Sequence, residues 1–273
     1  MISSKQVKPR RLALINDGKK QRKNFYFISD AHLGPNLPYP SHRETLLLDF
    51  FHQIRNNADQ LFIIGDLFDF WIEYRHVIRS DYFNVLCALA RLVLDGIKIH
   101  YVAGNHDFAL GPFLTDYIGI RVHRDFLAIT RNDKQIYLTH GDGLIDADKG
   151  YRLLKVFLRN PILQKSYRLL HPSLGIGMAS FFSRLSRHQE VSKGPKFGHQ
   201  AYRKTAWTLA EQGYDVVIMG HTHRPEIIHR RGKIYCNTGD WIKSFTYASL
   251  ESDTLRLWRY RQGRAPVEIA PII

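Results

Sequence analysis

Cysteine is nearly missing from this chain. Cys87 and Cys236 stand far apart with no second thiol near either, which excludes a disulfide framework or a thiolate zinc site and suits a reducing compartment. Long apolar runs are missing too. Nothing approaches the roughly 18 to 20 consecutive apolar residues that a membrane-spanning helix needs. Met1 to Lys23 is polar and basic and lacks the apolar stretch of an export signal, so a cytoplasmic protein is expected. Negative charge is scarce as well: 25 Asp and Glu face 39 Lys and Arg, a formal +14. Between Gly150 and Lys204 eleven basic residues meet only Glu190. Such a concentration calls for an anionic partner: a lipid surface, a nucleic acid or a phosphorylated substrate.

What is present is a globular composition, 44% hydrophobic and 12% aromatic, in 273 residues that can bury a large core. The organising stretch is Gln60-Leu-Phe-Ile-Ile-Gly-Asp66, a buried strand stopped by a glycine and a carboxylate. Four other stretches repeat it: Phe25 to Asp30 with His32, Ile99 to Asn105 with His106 and Asp107, Ile136 to His140 with Asp142, and Val216 to His221 with His223. Five apolar strands each ending in Asp, Asn or His can bring their tips to one sheet edge, where open α/β folds carry their sites.

Between the strands the pattern is helical, which reads as βαβ units. One helix is expected over Ser41 to Asn56, with Ser41 and Glu44 as a capping box, and another from about Asp81 to Asp95, closed by Gly96. After Phe126 short strands and tight turns at Asn132-Asp133 and Arg231-Gly232 point to two packed sheets with outer helices. A basic lead (1–24) precedes the domain (25–273). A helical insertion at about 149–200, broken by Pro161 and Pro172, mixes apolar residues with Lys and Arg. It is read as a cap that contacts acyl chains while its charges meet anionic head groups.

Asp30 and His32, like His221 and His223, stand at i, i+2, so on extended backbone each pair points one way. With Asp66, Asn105 and His140 they make seven oxygen and imidazole donors, too many for one ion and unsuited to Ca²⁺. Two divalent ions sharing one carboxylate account for the set, with Mn²⁺ foremost and Fe²⁺ or Zn²⁺ compatible.

These motifs in this order resemble the calcineurin-like metallophosphoesterases over residues 25 to 240. The resemblance implies a four-layer αββα sandwich, one metal held by Asp30, His32, Asp66 and His223, and another by Asp66, Asn105, His140 and His221. A narrower likeness, to the UDP-2,3-diacylglucosamine diphosphatases of lipid A synthesis, rests on Gly65–Ile72, Asn105–Phe108, Val122–Asp125, His140–Gly143, Gly220–Pro225 and the insertion after His140. It implies a nucleotide-linked lipid substrate and a place at the cytoplasmic face of the inner membrane. That family usually has Arg where this chain has His106. His106 suits a general acid for an alkoxide leaving group, which keeps another nucleotide, phosphodiester or anionic lipid open as substrate, with nucleic acid a weaker alternative. Asp107 is its candidate orienting partner, Asp142 and Asp146 supporting carboxylates, and Arg79, Arg152 and Lys155 candidate phosphate contacts.

Overall fold

The computed structural model describes residues 23–34, 42–74, 76–145, 155–156, 160–178 and 198–273. Its first strands, β1 (Asn24–Ile28), β2 (Ala58–Ile64) and β3 (Lys98–Val102), are short runs of aromatic and β-branched residues that pair in parallel, and β4 (Arg121–His123) extends them. A second sheet holds β5 (Phe126–Arg131), β6 (Lys134–Thr139), β7 (Val216–Met219), β8 (Glu226–Arg230) and β9 (Lys233–Asn237) in the order β5-β6-β7-β9-β8. The chain then returns to the first sheet as β10 (Thr246–Glu251), β11 (Thr254–Arg259) and β12 (Val267–Ile269), giving the order β12-β11-β10-β1-β2-β3-β4.

Alternation along each strand sorts the side chains into layers. Phe27, Phe62, Ile64 and Val102 meet Ile136, Leu138 and Ile218 between the sheets. Ile28, Leu61 and Ile63 face the other way, against Leu47, Phe50 and Phe51 of α1 (Arg43–Ile54) and Leu89 of α2 (Phe83–Leu94). In the insertion α3 (Pro161–Tyr167) starts on its proline, with the Asn160 side chain accepting the Ile162 and Leu163 amides. A further helical stretch, 172–178, starts at Pro172. Finally α4 (Gly198–Glu211) covers Tyr137, Val217, Met219 and Tyr235 on the second sheet. The layers are helix, sheet, sheet, helix, as the resemblance implies. Among the described residues no helix is long and apolar enough to cross a membrane.

The two tight turns are hairpins: Asn132 and Asp133, then Arg231 and Gly232, all have positive φ, which matches the twist of paired strands. The start of α1 differs from expectation. Ser41 lies outside the described residues, the N-cap is His42 without a side-chain cap bond, and Glu44 instead accepts from Asn84 at 3.2 Å.

His100 is stacked on Phe62 with its Nδ1 3.0 Å from His123 Nε2. Burial first, then the charges of His123, Arg121 and Lys98, push it down to about 4. An unfolded imidazole titrates near 6.5, so between those values the unfolded chain binds a proton that the folded chain refuses. Stability is therefore untouched by this group above about pH 6.5 and falls as pH drops toward 4. His100→Gln should reduce the slope of Tm against pH in that window; an unchanged slope would place the acid sensitivity elsewhere.

Candidate metal centre

The strand ends meet at one end of the sandwich, but they come from both sheets. β1, β2 and β3 are neighbours in the first, β6 and β7 in the second, so the expected single sheet edge is corrected to the shared edge of two. The extended backbone expected at the Asp-x-His and His-x-His pairs is also absent. φ is +53° at Asp30, +43° at His32, +54° at Asp66, +67° at His221 and +56° at His223. Left-handed residues with side chains cost on the order of 1 kcal/mol or more each and cluster where a site demands them. Backbone bonds hold them in place: Asp30 N–H donates to Gly65 O at 3.2 Å, His32 N–H to Asp66 O at 2.8 Å, and Leu33 N–H to Leu67 O at 2.8 Å. The loop after β1 thus runs beside the loop after β2. Gly104, in the loop after β3, lets that loop approach Asp66 as closely, since a Cβ there would overlap Asp66 Oδ1.

Asp30, His32, Asp66 and His140 are almost wholly buried. His223 Nε2 lies 3.4 Å from Asp30 Oδ1, and His32 Nε2 lies 3.7 Å from both Asp30 Oδ1 and Asp66 Oδ2. On the other side His140 Nε2 is 3.3 Å from Asp66 Oδ2 and 2.9 Å from Asn105 Oδ1, with His221 Nδ1 3.1 Å from the same amide oxygen. Asp66 therefore sits between two sets of donors. Ligands about 2.0 to 2.2 Å from a cation stand roughly 3 to 3.5 Å from one another, close to this spacing.

Three observations show that the residues fit divalent metal. Asp30 Oδ1 and both ring nitrogens of His32 are buried without a hydrogen-bond partner, a cost that ligation removes. His140 Nδ1 faces the Ile64 carbonyl at 2.9 Å and so carries a proton, and its Nε2 is turned toward two acceptor oxygens, Asp66 Oδ2 and Asn105 Oδ1, an arrangement that calls for positive charge between them. The ionisation states agree. Burial would raise Asp30, but His223, His32 and His140 outweigh it and hold the carboxyl at about 2; burial drives His32 down to about 4, the neutral state of a ligand. Burial works against charge on His140 too, yet Asp66 and Asp30 push it well above the ordinary value, because these carboxylates demand positive charge at Nε2. A divalent ion supplies more of it than a proton does.

The calcineurin-like phosphoesterase profile matches residues 23–225, which include all seven donors. The chain belongs to the calcineurin-like phosphoesterase family. Among its relatives, a protein of Porphyromonas gingivalis named UDP-2,3-diacylglucosamine hydrolase is 31% identical over 255 residues, 86% of this chain and 97% of its own length. Proteins of the same name from Haemophilus influenzae (31% identical, 84% of this chain and 94% of theirs) and Xanthomonas oryzae (28%, 86% and 98%) align over similar shares.

Around this phosphoesterase centre the structure redistributes several expected roles. His106 does join it, its ring edge-on to His32 at 4.7 Å and with a ring nitrogen within 4.8 Å of donor atoms of His32 and Asp66. Its neighbour Asp107 is not the group that orients the ring. The Asp107 carboxylate instead accepts from Tyr101 O–H, Gly104 N–H at 2.9 Å and Phe68 N–H at 3.4 Å, tying the β2 and β3 loops together. Asp69 does the orienting: its carbonyl lies 3.0 Å from His106 Nδ1 and its carboxylate 3.9 Å away. That residue escaped the sequence reading, although a second carboxylate three positions after Asp66 was its visible signal.

Of the candidate phosphate contacts, Arg152 lies outside the described residues. Arg79 is already paired, donating to Asp81 at 2.8 and 3.2 Å with its guanidinium over the Tyr82 ring. Lys155 is held by Asp142 at 2.8 Å and Asp125 at 3.4 Å. Both charges are met within the protein, so a phosphate role for either finds no support. Asp142, read as a supporting carboxylate, pairs with Lys155 and so ties the insertion to the loop after His140; Asp146 lies outside the described residues. Behind His221 and His223, Asn237 donates to the Gly220 carbonyl, and Trp241 N–H donates to the Asp30 carbonyl at 3.1 Å.

Proposed function

We propose that this phosphoesterase hydrolyses the diphosphate of UDP-2,3-diacylglucosamine to UMP and 2,3-diacylglucosamine 1-phosphate. The observation that carries the reading is the extent of the likeness: the Porphyromonas gingivalis and Haemophilus influenzae proteins of that name align over 84 to 86% of this chain and 94 to 97% of their own length. Asp30, His32, Asp66 and His223 would hold one ion and Asp66, Asn105, His140 and His221 the other, Mn²⁺ being favoured by the mixed nitrogen and oxygen donors. When bound, the ions supply an activated water and neutralise charge on the phosphoryl oxygens.

The protein's own residues do the rest. Asp66 accepts the His106 backbone N–H at 2.9 Å, and the Asp69 carbonyl engages the ring at Nδ1, 3.0 Å away, so that Nε2 is the nitrogen assigned to the reaction. From there His106 stabilises charge on the transferring phosphoryl group or protonates the leaving oxygen. Attack at the uridine-side phosphorus expels a sugar phosphate, a leaving group that needs little help from an acid because a phosphate monoester has its second pKa near 6. His106 thus also equips the centre for phosphodiesters, the second reading.

The insertion supports the lipid side. Val156, Ile162, Leu169, Leu174 and Met178 are exposed, and Lys165 and Arg168 stand among them. In this reading residues 149–200 cap the site, take the acyl chains and rest on an anionic inner-membrane surface at its cytoplasmic face. The test compares Mn²⁺-loaded protein on UDP-2,3-diacylglucosamine and on 2′,3′-cyclic AMP. UMP release far faster than opening of the cyclic diester is the expected result. Turnover of the cyclic diester alone would discard the lipid substrate and keep the phosphoesterase.

A further inference from the structure

Glu73 is a carboxylate with no part in the chemistry above, yet it is only 5% exposed. Both its oxygens are committed: Oε1 accepts the Trp71 indole N–H at 3.1 Å and the Gly111 N–H at 3.0 Å, and Oε2 accepts the Phe113 N–H at 2.9 Å. A buried carboxylate persists only where its acceptors are met, and here two of the three donors are backbone amides of the loop that starts at Asn105 and His106. The approach is close. A Cβ at Gly111 would come within 2.6 Å of Oε2.

The same two stretches meet again beside the metal cluster. Ile72 bridges to Ala109, Phe68 N–H reaches Asp107, and the Asp69 carbonyl receives His106 Nδ1–H. The stretch 67–74 is therefore a brace along the 105–113 loop, with Glu73 at one end and the partner of His106 at the other. Its outer side meets the cap, where Phe70 lies 6.3 Å from the Tyr167 ring and the Tyr74 hydroxyl sits against Gly175.

We infer that Glu73 is a positioning residue: by clamping Gly111 and Phe113 to the brace, it sets where His106 stands against the Asp69 carbonyl and so where Nε2 aims. The inference rests on the role given to His106 in the proposed reaction. No bond runs from Glu73 to the imidazole; the effect passes through the brace, and a displacement of about 1 Å at a reacting group can cost on the order of 10²-fold.

Glu73→Gln keeps the shape and one acceptor but sets an amide N–H₂ against the Phe113 N–H, donor against donor. With 2′,3′-cyclic AMP, kcat should fall about 10- to 100-fold while KM and bound Mn²⁺ per chain hold. Gly111→Ala, which pushes a methyl group at Oε2 and leaves the carboxylate in place, should reproduce the loss. In a His106→Ala background Glu73→Gln should change kcat by less than about twofold, since residues acting as a unit are not additive. Losses that multiply in the double variant, a parallel loss of bound metal, or unchanged kcat in both single variants would overturn the inference. No turnover of UDP-2,3-diacylglucosamine, with the coupling to His106 intact, would end the substrate reading and leave Glu73 in its role.

Discussion

Asp66→Ala should lower turnover roughly 10³-fold or more and remove the thermal stabilisation expected when Mn²⁺ is added to the wild-type protein. Asp66 Oδ2 is 3.7 Å from His32 Nε2 and 3.3 Å from His140 Nε2, so one oxygen faces both halves of the donor set. Its other oxygen holds the His106 backbone amide at 2.9 Å. On the proposed ligand sets, the alanine variant would take a ligand from each ion and the anchor from His106 at once. Transition-state charge stabilisation of several kcal/mol, at about 1.4 kcal/mol per tenfold, amounts to a loss of roughly 10³-fold or more. The Tm gain on adding Mn²⁺ follows binding to the folded state alone, so it should be clear in the wild type and nearly absent in the variant. Activity within tenfold of wild type, or an unchanged Mn²⁺-dependent Tm gain, would rule out a shared carboxylate.

His106 should separate the two substrate classes. A carbonyl oxygen only accepts, so Nδ1 carries the proton toward Asp69 and Nε2 is the working atom. On 2′,3′-cyclic AMP, whose leaving group is an alkoxide, His106→Ala should lower kcat about 10²- to 10⁴-fold, the usual worth of a general acid. The diphosphate loses a phosphate monoester, which leaves without a proton, so what His106 contributes there is charge. His106→Arg should accordingly retain most of the UDP-2,3-diacylglucosamine activity and little of the cyclic diester activity. Equal losses on both substrates would mean that the imidazole acts through structure rather than through its proton.

Much of this centre was visible in the sequence because its donors sit on regular punctuation: an apolar strand, then Gly or a small residue, then Asp, Asn or His. That pattern depends only on local hydrophobicity, so it survives without knowledge of the fold. What it could not carry was the backbone conformation between paired donors. Asp30-x-His32 reads equally well as extended chain, and both residues are left-handed in the fold, held by bonds to Gly65 and Asp66 in the next strand's loop. Asp107 misled for a similar reason. Adjacency to His106 suggested a partner, but Tyr101 O–H and the Gly104 amide draw the carboxylate toward the strand instead. Arg79 and Lys155 were read as candidate phosphate contacts, and their counterions, Asp81, Asp125 and Asp142, become partners only through turns and the packing of the insertion. Two packed sheets with outer helices were legible from strand spacing and hairpin turns; the division of the five motifs between two sheets was not, since strand order is a long-range property.

The most direct test of the central claim, metal-assisted attack of water on the uridine-side phosphorus, is hydrolysis of UDP-2,3-diacylglucosamine in ¹⁸O-labelled water by Mn²⁺-loaded protein, with a chelated sample beside it. The account predicts one labelled oxygen in UMP, none in the sugar phosphate, and no reaction after chelation. Label in 2,3-diacylglucosamine 1-phosphate, or UMP formation undiminished without metal, would contradict it.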